Sequence, residues 1–146
     1  MKFVMPTLRR VVFDTNVQIS AYLWPGIPRT ALDIIRSGRS IMVSAQPAIE
    51  EFVRVLGYRK FRLSPEEIAP LVDDLMSLST IVHPRHTVDV VTRDPTDNLF
   101  LEIALQGKCS VLVSGDRHLL DLHRYRRTRI LTPATFVRSC REIEGS

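Results

Sequence analysis

Cysteine is scarce in this chain: only Cys109 and Cys140 occur in 146 residues. They sit in or near apolar segments, without a CxxC or Cys/His spacing. That excludes a disulfide framework and offers no zinc pattern, so two reduced, partly buried thiols are expected. Long apolar runs are missing as well. None approaches the ~18 residues a membrane helix needs, and Met1–Arg10 has no apolar signal-peptide core. A cytoplasmic protein without membrane contact is expected. There is no internal repeat, low-complexity tract or linker. A strong charge of one sign is also lacking. Twenty Lys and Arg stand against sixteen Asp and Glu, a net charge of +4 and a pI of about 9.5. This excess favours polyanionic partners such as nucleic acid without identifying one.

What is present suits one globular domain, residues 1–146. Hydrophobic residues make up 45% and charged residues 25%, and a chain this long buries roughly 68–70% of its unfolded surface. Short apolar runs alternate with helical patterns. Strands are expected at Arg10–Phe13, Ser40–Val43, Thr80–Val82, Ser110–Val113 and Arg129–Leu131. Helices are expected at Val17–Leu23, Thr30–Arg36, Pro47–Leu56, from Ser64 to about Leu78, from Asp94 to about Gln106, at Arg117–Leu122, and from Thr132 to about Arg141. In the third, Ile49, Phe52, Val53 and Leu56 are expected on one face. Ser64-Pro65-Glu66-Glu67 reads as a capping box. The alternation implies a three-layer α/β/α sandwich on a mostly parallel sheet of about five strands.

In such sheets functional groups gather beyond the carboxyl ends of the strands. Four acids, far apart in sequence, fall at that edge. Asp14 follows Val11-Val12-Phe13, and Asp116 follows Val111-Leu112-Val113 by way of Ser114-Gly115. Glu51 and Asp97 lie early in helices that leave the same edge. Three have an ordinary explanation: Asp14 as a helix cap, Asp97 as part of a helix start capped by Asp94, Asp116 as a turn residue. Glu50 is expected in solvent, because two adjacent helical residues cannot share one face. Together, four converging carboxylates repel one another unless a cation neutralises them, and hard oxygen donors favour Mg²⁺ or Mn²⁺.

The segments Val-Val-Phe-Asp14-Thr15-Asn16, Glu51-Phe-Val-Arg-Val-Leu56, Arg93-Asp94-Pro-Thr-Asp97-Asn98 and Val-Ser114-Gly115-Asp116, in this order, resemble the PIN-domain ribonucleases. Among these the chain looks most like the VapC-like toxins of bacterial and archaeal toxin–antitoxin pairs. The resemblance spans about Val11 to Val137. It implies a metal-dependent endoribonuclease with Asp14, Glu51, Asp97 and Asp116 as catalytic and metal-binding acids. Thr15, Asn16, Ser114 and Asp94 would be supporting polar residues. Many members carry Thr where this chain has Ser114. A cognate antitoxin and a homodimer are also implied. Arg93 and Arg117, near the acids, are candidates for RNA contact. The denser run Arg124-Tyr125-Arg126-Arg127-Thr128-Arg129 is expected at the opposite edge, as a solvated turn.

Two alternatives remain open at this level. One is a non-catalytic module holding RNA or a partner on the same fold. The other is a metal-dependent phosphatase with Asp14 as nucleophile. Haloacid-dehalogenase-like enzymes carry a second Asp two positions on, where this chain has Asn16.

Overall fold

The computed structural model describes residues 8–85 and 94–144. Six strands form one sheet: β1 (Arg10–Phe13), β2 (Ile41–Ser44), β3 (Ser79–Ile81), β4 (Val111–Val113), β5 (Arg124–Tyr125) and β6 (Thr128–Leu131). Their order is β3-β2-β1-β4-β6-β5. All neighbours are parallel except the β5–β6 hairpin. The helices are α1 (Thr15–Leu23), α2 (Ile27–Arg36), α3 (Gln46–Leu56), α4 (Pro65–Leu78), α5 (Pro95–Gln106), α6 (Arg117–Leu120) and α7 (Pro133–Glu144). The mostly parallel α/β/α sandwich is therefore present, with one strand more than expected. A strand of two residues, Arg124 and Tyr125, is too short to leave a periodic signal.

Side-chain alternation along the strands divides the interior in two. Val11, Phe13, Met42, Val111 and Val113 point into a cluster with α1, α2, α3, α4 and α7. Val12, Val43, Leu112 and Ile130 point into a second cluster with α5 and α6. Because a strand's side chains alternate faces, a run such as Val11-Val12-Phe13 feeds both layers at once. That is why the central runs Val11-Val12-Phe13 and Val111-Leu112-Val113 are apolar at every position. Phe13 and Phe136 meet edge to face at 5.9 Å, pinning α7 to the first layer.

Local signals set the helix ends. Ser64 Oγ accepts from Glu67 N, and Glu67 Oε1 accepts from Ser64 N, which completes the expected capping box. Helix α3 departs from expectation at one position. Ile49, Phe52 and Leu56 are buried, but Val53 is 40% exposed and Val55 takes its place in the core. At 100° per residue Val55 lies only 60° from Phe52, whereas Val53 lies 100° away on the other side. The same geometry leaves Glu50 exposed and Glu51 half-buried at the edge of the apolar face.

Trp24 is half exposed and leans on Phe61 with ring centroids 5.9 Å apart. Both cysteines are free and buried. Burial pushes the Cys109 thiol up to about 12. Among the described residues, no helix is long and apolar enough to cross a membrane.

Candidate active site

The parallel strands β1 and β4 lie side by side, with Phe13 level with Val113. Both strands end at this edge, so Asp14 and Asp116 are neighbours although they stand 102 positions apart. Three of the acids cap helices there. Asp14 Oδ1 accepts from Val17 N at 2.9 Å. Asp94 Oδ1 accepts from Thr96 N at 2.8 Å. Asp116 Oδ1 accepts from His118 N at 2.8 Å and Leu119 N at 3.3 Å. Capping and convergence are thus one arrangement: each cap aims a helix N-terminus and its carboxylate at the same place, where the helix dipole favours negative charge.

A cavity of about 140 Å³ opens there. It is lined by Asp14, Thr15, Asn16, Glu51, Val55, Asp94, Thr96, Asp97, Phe100 and Asp116. All four principal acids and Asp94 therefore meet at one cavity. Asp14 and Asp97 are buried. Glu51 comes from the second turn of α3, and Asp97 from the first turn of α5.

Ser114 stands behind this wall, fully buried. Its Oγ donates to Asp14 Oδ2 and accepts from Asp116 N at 2.9 Å. One hydroxyl thus couples both strand ends. Burial pushes the Asp14 carboxyl above the usual carboxylate range, and the charge of Asp116 adds to that. Hydrogen bonds from Ser114 and the Val17 and Gly115 amides pull against it.

Residues not anticipated from the sequence also line the cavity. Val55 and Phe100 lie one turn beyond Glu51 and Asp97, and Thr96 just precedes Asp97. Helical periodicity alone would have placed them once the acids were known. Arg54, one turn beyond Glu51, pairs with Glu51 Oε2. Arg117 begins α6 beside Asp116, exposed and outside the lining. Arg93 lies outside the described residues. The arginine-rich segment forms the β5–β6 hairpin at the opposite sheet edge, as the topology requires.

Among the described residues, no three His, Cys, Asp or Glu side chains stand close enough to grip one ion as they are placed. Asp14, Glu51 and Asp116 each accept from a protein N–H or O–H. The donor set still fits Mg²⁺ or Mn²⁺. The lining is rich in hard oxygen, and its volume admits an ion with several waters, the form in which Mg²⁺ binds few carboxylates directly. The buried Thr15 Oγ1, also in the lining, has no hydrogen-bond partner among the described residues.

Comparison with known proteins bears on the fold and the family. The chain is similar to the protein in the crystal structure of PAE2754 from Pyrobaculum aerophilum, at 16% identity and a TM-score of 0.60, over 92% of this chain and 90% of that one. At that identity the likeness concerns the fold. No curated protein matches the chain. A family model described as PIN domain matches residues 10–118, from the first strand into α6. With that match over most of its length, the chain belongs to the PIN domain family, whose members are generally nucleases.

Proposed function

We propose that the protein is a Mg²⁺- or Mn²⁺-dependent endoribonuclease that hydrolyses RNA phosphodiester bonds with an activated water. We further propose that it is the toxin of a toxin–antitoxin pair, restrained by a cognate antitoxin and working as a homodimer. One observation carries the catalytic part: Asp14, Glu51, Asp94, Asp97 and Asp116, from four separate segments, line a single cavity at the carboxyl edge of a PIN domain.

Asp14, Asp97 and Asp116 would hold the ion, directly or through water. When bound, a divalent ion lowers the pKa of water and offsets charge developing at phosphorus. Glu51 would orient the attacking water once it leaves Arg54. Thr15 and Asn16 would hold hydration waters by their hydroxyl and amide. Ser114 acts one step back, holding Asp14 and the Asp116 backbone in register. Asp94 caps α5 and so sets the position of Asp97. Arg93 and Arg117 would contact RNA phosphates. In-line attack would leave a 5′-phosphate and a 3′-hydroxyl.

Purified wild type should cut RNA in Mg²⁺ or Mn²⁺, and identically prepared Asp14→Asn and Asp116→Asn should stay folded and lose cutting. Equal cutting by the variants would sink the assignment. The toxin role is tested separately, by growth arrest on induction and its relief by a neighbouring small reading frame.

A further inference from the structure

A second, larger cavity lies at the other end of the sheet. Its volume is about 660 Å³, within the range of small-ligand sites, and its lining comprises Ala104, Leu105, Lys108, Cys109, Ser110, Tyr125, Arg126, Arg127 and Thr128. The turn from α5 into β4 forms one wall, and the β5–β6 hairpin forms the other. Strand β4 runs from this cavity to the acids. Ser110 and Ser114, at its two ends, are about 13 Å apart at ~3.3 Å per residue.

Four features of the lining point to one ligand chemistry. Lys108, Arg126 and Arg127 supply three cations, and no carboxylate is among the lining residues. Tyr125 supplies an aromatic ring, with the Arg126 guanidinium 5.7 Å from its centroid. Ser110 Oγ is buried and has no hydrogen-bond partner among the described residues. Finally, Lys108 and Arg126 have φ of 52° each, a left-handed conformation that glycine or asparagine adopts at less cost. Long cationic side chains at both positions keep charge on the rim where the local backbone would favour glycine.

We propose that this cavity binds a phosphorylated nucleotide unit, its base against Tyr125 and its phosphate among Lys108, Arg126 and Arg127. The unit would be a free mononucleotide or part of an RNA strand. Aromatic rings interleaved with arginines take any base by stacking and any phosphate by charge. The inference does not depend on the acid-lined cavity.

The test is calorimetric titration of the full chain in EDTA, which prevents divalent-dependent cleavage and leaves the acidic cavity repelling phosphate. The probes are adenosine 5′-monophosphate, adenosine, inorganic phosphate and a short single-stranded oligoadenylate. The monophosphate should bind more tightly than adenosine or phosphate. The double variant Lys108→Ala/Arg127→Ala should weaken it about tenfold or more and flatten its salt dependence. Tyr125→Leu should weaken the monophosphate and adenosine but not phosphate; should that variant melt early, the exposed Lys108 and Arg127 pair decides. Oligoadenylate binding that is tighter than the monophosphate and lost in the same variants assigns the site to RNA. The reverse order assigns it to a free nucleotide. Monophosphate binding no tighter than phosphate, or unchanged in the variants, overturns the proposal.

Discussion

Ser114 Oγ donates to Asp14 Oδ2 across 100 residues of sequence and at the same time accepts from the Asp116 backbone. Ser114→Ala removes the donor and leaves a buried carboxylate short of a partner. A hydrogen bond to a charged group is worth ~1.5–3 kcal/mol, so kcat should fall about ten- to a hundredfold. Ser114→Thr keeps the hydroxyl and should retain most activity. Steady-state cleavage of one RNA substrate checks both; an alanine variant as fast as the threonine variant would remove Ser114 from the site.

Cation binding should be visible without catalysis. At a hundred times its dissociation constant, Mg²⁺ stabilises the native state by about 2.7 kcal/mol, worth several degrees in Tm for a domain of this size. Asp14→Asn and Asp116→Asn should lose most of that shift. Differential scanning calorimetry with and without Mg²⁺ measures it.

Glu51 is tied to Arg54, and that pair competes with any role in the cavity. Arg54→Ala should therefore lower the Mg²⁺ concentration needed for half-maximal activity. Glu51→Gln should lose at least about tenfold in rate, as expected of a group aiding water activation, while Glu50→Gln should lose none. A Mg²⁺ titration of the three variants separates these outcomes, and equal losses at positions 50 and 51 would contradict the helix-face argument.

Gly107 is required by close approach. A Cβ there would stand 2.6 Å from Val43 Cγ1, a stiff, buried side chain. Its carbonyl also accepts from Arg10 Nε at 2.7 Å. Gly107→Ala should cost about 1–3 kcal/mol through overpacking. Gly115→Ala, whose methyl meets nothing within 4 Å, should cost less than ~0.5 kcal/mol. Urea unfolding of the two variants compares them directly.

Asp74 joins three helices. It takes a two-pronged bond from Arg36 at 2.9 and 2.8 Å and another from the Tyr22 hydroxyl at 2.7 Å. The Arg36 guanidinium holds the Asp74 carboxyl below its ordinary 3.8, and burial with Asp74 alongside holds the Tyr22 phenol above its own. A depressed carboxylate adds stability above its unfolded value and loses it as pH falls through the folded one. The pair is part-exposed, so Asp74→Asn should cost at most about 1 kcal/mol at pH 7. That difference should begin to shrink near pH 3.8 and close only as pH falls through the lower folded value. Unfolding curves at neutral and acid pH check the sign.

Strand and helix order, the two-faced burial of the sheet, the caps at Ser64 and Asp94 and the exposure of Glu50 were legible in the residues. All are local: periodicity, cap chemistry and helical angle act within a few positions. Val53 shows the limit, since the width of an apolar face depends on what packs against it. The two-residue β5 exists only because β6 lies beside it to accept its pairing. Arg54 was visible one turn from Glu51, but not that it would hold that carboxylate.

By itself, the sequence determined which acids occur, at which strand ends and helix starts, and that parallel topology carries them to one edge. Only the tertiary structure decided their coupling: Ser114 bridging Asp14 to the Asp116 backbone, one cavity drawing its lining from four segments, and the arginine hairpin walling a separate cavity at the far edge. Contacts between distant segments follow from strand register and helix packing. These are set by the whole core at once, and no short stretch of chain encodes them.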